Sequence, residues 1–254
     1  VGQTQNGKKE PMSNEEFFVR LCRRLIKTIG SPNADGIVFR VDMGLRPYGE
    51  SGPLVMSFDA MEAYYQEQGR EWERYAWIKA RTVAGNMNAG ALLLKRLHPF
   101  IYRRYLDYSA FESLREMKQM IALEVKRKGM ENNIKLGPGG IREIEFFGQI
   151  FQLIRGGVSP ALQRTGILNV LKALADEHHI PQEVCNELTD AYVLLRNIEN
   201  RLQAFSDQQT HQLPTDESGQ LRLAASMNLN DVGSFYSILK KHREIVHGHF
   251  QMLL

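Results

Sequence analysis

Cysteine is almost missing from this chain: two residues, Cys22 and Cys185, in a length of 254. They lie far apart and fit no metal-ligand spacing. That excludes a disulfide scaffold or a thiolate zinc site and leaves free thiols in a reducing cytoplasm as the expectation. No stretch is long and apolar enough to cross a bilayer, and no signal peptide is visible. The formal net charge of +3 is too small to argue for nucleic acid. His178-His179 and His242, His247 and His249 are accompanied by no Cys or carboxylate framework for a metal and read as surface residues. There is no Ser-His-Asp spacing, no G-x-S-x-G, no Walker A lysine and no G-x-G-x-x-G.

What is present is ordinary globular composition, 43% apolar and 24% charged, in a length that suits one large domain or two small ones. The chain opens without Met on a polar segment, Val1 to Pro11, whose composition argues against order and which reads as a cut through a longer protein or an internal loop. Ser13 with Glu16 three residues on is a capping box, and Phe17, Phe18, Leu21, Leu25 and Ile29 follow at helical spacing. Gly30-Ser31-Pro32-Asn33 ends that helix. The Asp35-Gly36 turn then introduces a predicted strand over 37–43, where Ile37, Phe39, Val41 and Met43 alternate with Val38, Arg40 and Asp42. A second strand is expected over 54–58. From there the pattern is helical: 59–84, bent or divided at Gly69, then 89–96, 98–128, 141–155, 160–178, 181–207, 217–227 and 231–253. The expected fold class is therefore α+β, mostly α. A mixed α/β part (1–105) precedes an antiparallel helical bundle (106–254).

Three constellations carry chemistry. In the first, Arg40 and Asp42 share a strand face and Arg46 follows in a Gly/Pro-rich loop. A lone Asp on a strand ordinarily faces solvent or pairs with its neighbour, here Arg40. The functional reading is a carboxylate for a hard cation beside arginines that grip phosphate oxygens. The second runs from Tyr64 to Arg81. On one helix Arg70, Glu73, Arg74, Trp77 and Arg81 would form a solvated, salt-bridged face, with Lys79 and Arg81 in reach of a phosphate. The third is Lys135-Leu-Gly-Pro-Gly-Gly-Ile-Arg-Glu-Ile-Glu-Phe146, a glycine loop opening a helix that carries Arg142, Glu143 and Glu145. Its N–H groups suit an anion. Acids in a first helical turn are equally ordinary dipole complements, and both readings stand.

Together these motifs resemble one family, the bifunctional glutamine synthetase adenylyltransferase/adenylyl-removing enzymes. The residues that carry the resemblance are the run from Phe39 to Val55, Tyr64 to Ala76, Lys79-Ala-Arg81 and Leu136 to Phe146. The wording of the second and third motifs is similar to the N-terminal, AMP-removing half. The resemblance implies a nucleotidyltransferase domain of the DNA polymerase β type followed by a helical bundle. It implies removal of AMP from a tyrosine of glutamine synthetase by phosphorolysis to ADP, a partner half that adds AMP from ATP, magnesium as cofactor, control by the PII signal protein, and a cytoplasmic location.

On that resemblance Asp42 is a magnesium ligand and catalytic group. Arg40 and Arg46 neutralise phosphate oxygens, Lys79 and Arg81 stand second for that task, and Arg142, Glu143 and Glu145 close the site or contact the synthetase. Two departures follow. The Gly-Ser and D-x-D pair of such enzymes would lie before Val1, so the chain alone is expected to be inactive. Gly44 stands where the family more often has Arg. The rival readings are a related nucleotidyltransferase such as the PII uridylyltransferase, and a helical docking module for the synthetase or PII.

Overall fold

A computed structural model of the chain describes residues 12–104, 108–205 and 209–253. The described residues contain helices α1 (Asn14–Gly30), α2 (Phe58–Glu67), α3 (Glu71–Trp77), α4 (Met87–Ile101), α5 (Tyr108–Arg127), α6 (Ile141–Arg155), α7 (Ile167–Asp176), α8 (Gln182–Ala204), α9 (Glu217–Ser226) and α10 (Val232–Met252). The chain divides into two units: residues up to Ala76 with Arg81–Phe100, and Trp77–Ala80 with Ile101–Leu254. The segment Val1–Pro11, expected to lack order, lies outside the described residues.

In the first unit the capping box forms as the sequence predicts. The Ser13 hydroxyl accepts from the Glu16 N–H and the Glu16 carboxylate accepts from the Ser13 N–H. The two predicted strands do not form. Among the described residues there is no strand, and 37–43 and 54–57 carry no regular structure. A strand exists only by pairing, and short extended segments without a ladder leave their backbone to solvent. Ile37, Val38 and Phe39 stay 60%, 59% and 70% exposed. The Phe39 N–H finds a partner in the Ile29 carbonyl at 3.3 Å. The fold is thus mostly helical, and the α/β part expected for the first hundred residues does not appear in it.

The predicted helix over 59–84 is divided, as Gly69 suggested, into α2 and α3. The predicted solvated face on it does not appear: Glu73 and Arg74 are buried. The Glu73 carboxylate accepts from the Tyr64 hydroxyl at 3.0 Å and from the Arg70 N–H at 2.8 Å. Arg74 bonds Glu71 at 2.5 Å. Splitting the helix lets Glu73 of α3 meet the Tyr64 hydroxyl of α2, so charges that one continuous helix would show to water pair inside. Tyr64 and Tyr65 stack edge to face beside them, and Phe100 packs on Tyr65.

The second unit is a helical bundle. Leu188, Ala191, Leu195, Ile198 and Leu202 on α8 are buried at the three- and four-residue spacing of one helix face. α8 packs on α6, α7, α9 and α10. Helix α6 is covered on nearly every side, with Ile141, Ile144, Phe146, Phe147 and Ile150 buried. Each such side chain contributes about 1.5–3 kcal/mol on leaving water. Two loops are stitched at one end: Asn133 and Gln212 form an antiparallel bridge, and the Ile134 N–H donates to the His211 carbonyl at 3.0 Å. Cys22 and Cys185 are free thiols. Among the described residues no helix is long and apolar enough to cross a membrane.

Candidate functional site

The first candidate group is the loop after α1. Asp42 is exposed, and its Oδ1 accepts from the Gly44 N–H at 2.8 Å, an Asx turn that the small residue at 44 permits. Arg40 is exposed too. Arg46 is half-buried and holds the loop together: Nε donates to the Gly52 carbonyl at 3.2 Å, Nη1 to Met43 at 2.5 Å and Nη2 to Glu50 at 2.9 Å. The sequence suggested phosphate oxygens for this guanidinium; in the fold its donors meet carbonyl oxygens of its own loop. Among the described residues no three His, Cys, Asp or Glu side chains gather as a metal site. Magnesium demands six oxygens in near-octahedral array. Asp42, with one oxygen already engaged, is joined by no such set of oxygens among the described residues.

The glycine loop before α6 answers to a different demand from the anion cradle the sequence allowed. Its N–H groups are used by the chain itself. Gly137 donates to Asn133, Gly140 to Gly137, Ile141 to Ile134 and Arg142 to Lys135. Gly139, at φ 68°, donates to the Glu143 carboxylate at 2.9 Å. A Cβ on Gly139 would lie 2.6 Å from the Arg243 Cα, so the loop is glycine because α10 presses against it. Arg243 returns the contact, donating to the Pro138 carbonyl at 2.8 Å and the Glu131 carbonyl at 2.7 Å. Glu143 is buried, with His247 Nδ1 at 3.1 Å. Burial pushes the Glu143 carboxyl above its usual range, opposed by the Gly139 N–H, His247 and Arg243. Glu143 therefore fastens α6 to α10. Arg142 is half-buried.

Glu145 lies two residues further along α6 and does something else. Its Oε2 takes Lys79 Nζ at 2.7 Å, which brings that lysine onto the helix of the third motif. Arg81 is exposed and belongs to the first unit, whereas Lys79 belongs to the second. The Lys79–Glu145 pair continues into residues the sequence did not single out. Tyr192 on α8 feels the charges of Glu145, Arg196 and Glu199; burial, then Glu145, pushes its hydroxyl up. Glu199 is a buried carboxylate bonded to Arg196, with His211 Nδ1 at 3.0 Å and Lys135 Nζ at 3.7 Å. His211 Nδ1 is close to Glu199 without hydrogen-bond alignment. Burial, then Lys135, lowers the His211 pKa. The one sequence signal for this cluster was Arg196 three residues before Glu199 on a helix.

The histidines also correct the sequence reading. His247 meets Glu143 and His249 meets Glu187, carboxylates 104 and 62 positions away, and His179 meets Glu177 two residues before it.

Comparison with known proteins covers both units. The glutamate-ammonia ligase adenylyltransferase family model matches residues 1–96, and the GlnD PII-uridylyltransferase family model matches residues 115–254. A bifunctional glutamine synthetase adenylyltransferase/adenylyl-removing enzyme of Nitrosococcus oceani is 58% identical over 252 residues, 99% of this chain and 26% of the relative. Its namesakes in Pseudomonas syringae pv. tomato and Hahella chejuensis are 54% and 52% identical, each over 98% of this chain and about a quarter of their own length. The chain thus spans about a quarter of the length of the curated relatives it matches. With the motifs, the adenylyltransferase model over the first 96 residues and 52–58% identity over nearly the whole chain in agreement, the chain belongs to the family of bifunctional glutamine synthetase adenylyltransferase/adenylyl-removing enzymes.

Proposed function

We propose that this segment serves the deadenylylating half of such an enzyme in the cytoplasm, acting on glutamine synthetase under the control of the PII protein. In that reaction an oxygen of inorganic phosphate attacks the phosphorus of a tyrosine-bound AMP. The bond from phosphorus to the tyrosine oxygen breaks, and the proton of the phosphate ends on that oxygen. The products are ADP and the free tyrosine. Charge builds on phosphoryl oxygens, so fixed cations are what the protein must supply. The observation that carries this reading is the Lys79–Glu145 pair at 2.7 Å, which holds a cation of one family motif on the helix of another.

Arg40 and Asp42 act at the phosphoryl group, and Arg81 stands second for that task. Arg46 positions them by holding their loop. Magnesium, where the full-length enzyme binds it, supplies Lewis-acid charge neutralisation, and Asp42 would be one of its ligands. The segment alone is accordingly expected to show no turnover.

The test is Asp42→Asn in the full-length protein, with both reactions followed. Removal of AMP falls by at least a hundredfold while addition from ATP stays within about twofold, since a lost charge-stabilising contact at a phosphoryl centre costs roughly 10²–10³ in rate. Equal loss of both activities would assign the segment to the other half. The match of residues 115–254 to the PII-uridylyltransferase model favours a second reading, uridylyl transfer to PII. Incorporation of UMP from UTP into PII, with no effect on glutamine synthetase, would decide for it. Tight binding of the synthetase or PII with no nucleotide affinity would leave a docking module.

A further inference from the structure

Glu199 is enclosed by more positive charge than a buried carboxylate needs. Its side chain is 4% exposed, and Arg196, Lys135 and His211 approach it from α8 and from the two stitched loops. One aligned guanidinium offsets much of the cost of burying a carboxylate. The added ammonium leaves the cluster with a cationic surplus. Counting Lys79 and Glu145 beside it, three permanent cations face two carboxylates, with His211 held toward its neutral form.

The acids are 4% and 23% exposed, and the cations keep 37–45% of each side chain in solvent. Tyr192 joins the two halves: Arg196 lies over its ring at 5.9 Å, and the charges of both Glu145 and Glu199 reach its hydroxyl. Lys79 and Arg196 are each paired with a carboxylate, Lys135 lies 3.7 Å from one, and all three remain open to solvent. That arrangement spends rotamer freedom in folding and not in binding, which is how a protein prepares a site for a compact, multiply charged anion.

We propose that Lys79, Lys135 and Arg196 form a binding site for phosphoryl oxygens on the helical unit, anchored by Glu145 and Glu199 and bordered by Tyr192 and His211. The deadenylylation reading above names the reaction this site would serve; the site itself stands on the cluster alone. Free inorganic phosphate and the phosphates of a nucleotide share the chemistry it recognises.

Titration calorimetry of the chain at low ionic strength, with inorganic phosphate in one arm and ADP in the other, tests it. Lys79→Ala and Lys135→Ala are each expected to weaken binding about tenfold, the low end for a hydrogen bond to a charged group. Lys79→Arg and Lys135→Arg retain most of it. Lys172→Ala, whose ammonium pairs with Asp176 on α7, leaves binding as it was. Preference for ADP in the parent identifies a nucleotide site, and equal affinity a site for free phosphate. Thermal melts accompany each variant, and both lysines are exposed enough that the fold is retained. Binding of neither probe, or binding unaltered in the Lys79→Ala/Lys135→Ala double variant, overturns the proposal whatever Asp42→Asn does. Loss of binding in a protein that proves not to deadenylylate overturns only the functional reading.

Discussion

Gly139→Ala should damage the helical unit far more than a second glycine substitution of the same backbone class. Gly139 and Gly129 have φ of 68° and 57°, so an alanine at either must enter the left-handed region. That strain costs about 1–2 kcal/mol. At Gly129 nothing more is added, because the nearest atom to a new Cβ is a glutamate tip at 3.9 Å. At Gly139 the new Cβ would lie 2.6 Å from the Cα of Arg243, and a backbone cannot rotate away as a side chain can. Helix α10 must retreat, which adds about 1–3 kcal/mol of overpacking. The retreat also pulls the Arg243 guanidinium off the Pro138 and Glu131 carbonyls. The expected losses are about 2–5 kcal/mol for Gly139→Ala and about 1–2 kcal/mol for Gly129→Ala. Urea unfolding followed by far-ultraviolet circular dichroism measures both. Equal losses, within about 0.5 kcal/mol, would mean that the loop yields and that its glycines do not answer to α10.

Two further outcomes follow from the same contacts. Arg46→Ala removes three hydrogen bonds to carbonyls of residues 43, 50 and 52, so limited proteolysis within 43–52 should accelerate several-fold; an unchanged cutting rate would refute the loop-holding role. The fold raises the Glu143 pKa and lowers that of His211, both mainly by burial, and the two have opposite signs in pH. A raised acid favours the fold below its unfolded pKa and loses that contribution as pH climbs through the folded value. Glu143→Gln should therefore gain on the parent in stability as pH rises from about 4.5 toward 7. A lowered histidine contributes above its unfolded pKa and loses that as pH falls through the folded value, so His211→Gln should flatten the parent's decline below about pH 6.5. Equilibrium denaturation across that range checks both, and a gap that closes for Glu143→Gln would reverse the assignment.

The helical half was legible to within a few residues where apolar periodicity and breakers agreed. The predicted 141–155 is α6, and 217–227 and 231–253 are α9 and α10 with frayed ends. The sequence reading divided this region into 89–96 and 98–128, whereas α4 runs from Met87 through Pro99 to Ile101 and α5 begins at Tyr108. The strand prediction failed because alternation marks a segment fit for a sheet, and a sheet needs neighbours that the described residues do not offer. At the candidate sites the motifs were visible but their duties were not. Arg46 and the glycine loop look alike in sequence whether they hold a ligand or hold the chain.

The order of residues alone determined the helices, the break at Gly69 and the family, because caps, breakers and periodicity act within a turn or two of the chain. Tertiary structure alone decided which charges are buried and what each one meets. Glu143 finds His247 across 104 positions, Arg243 reaches Glu131 across 112, and Glu199 gathers Lys135 and His211 from separate loops. A carboxylate's fate depends on which distant groups displace its water, and that is fixed only when the helices have packed.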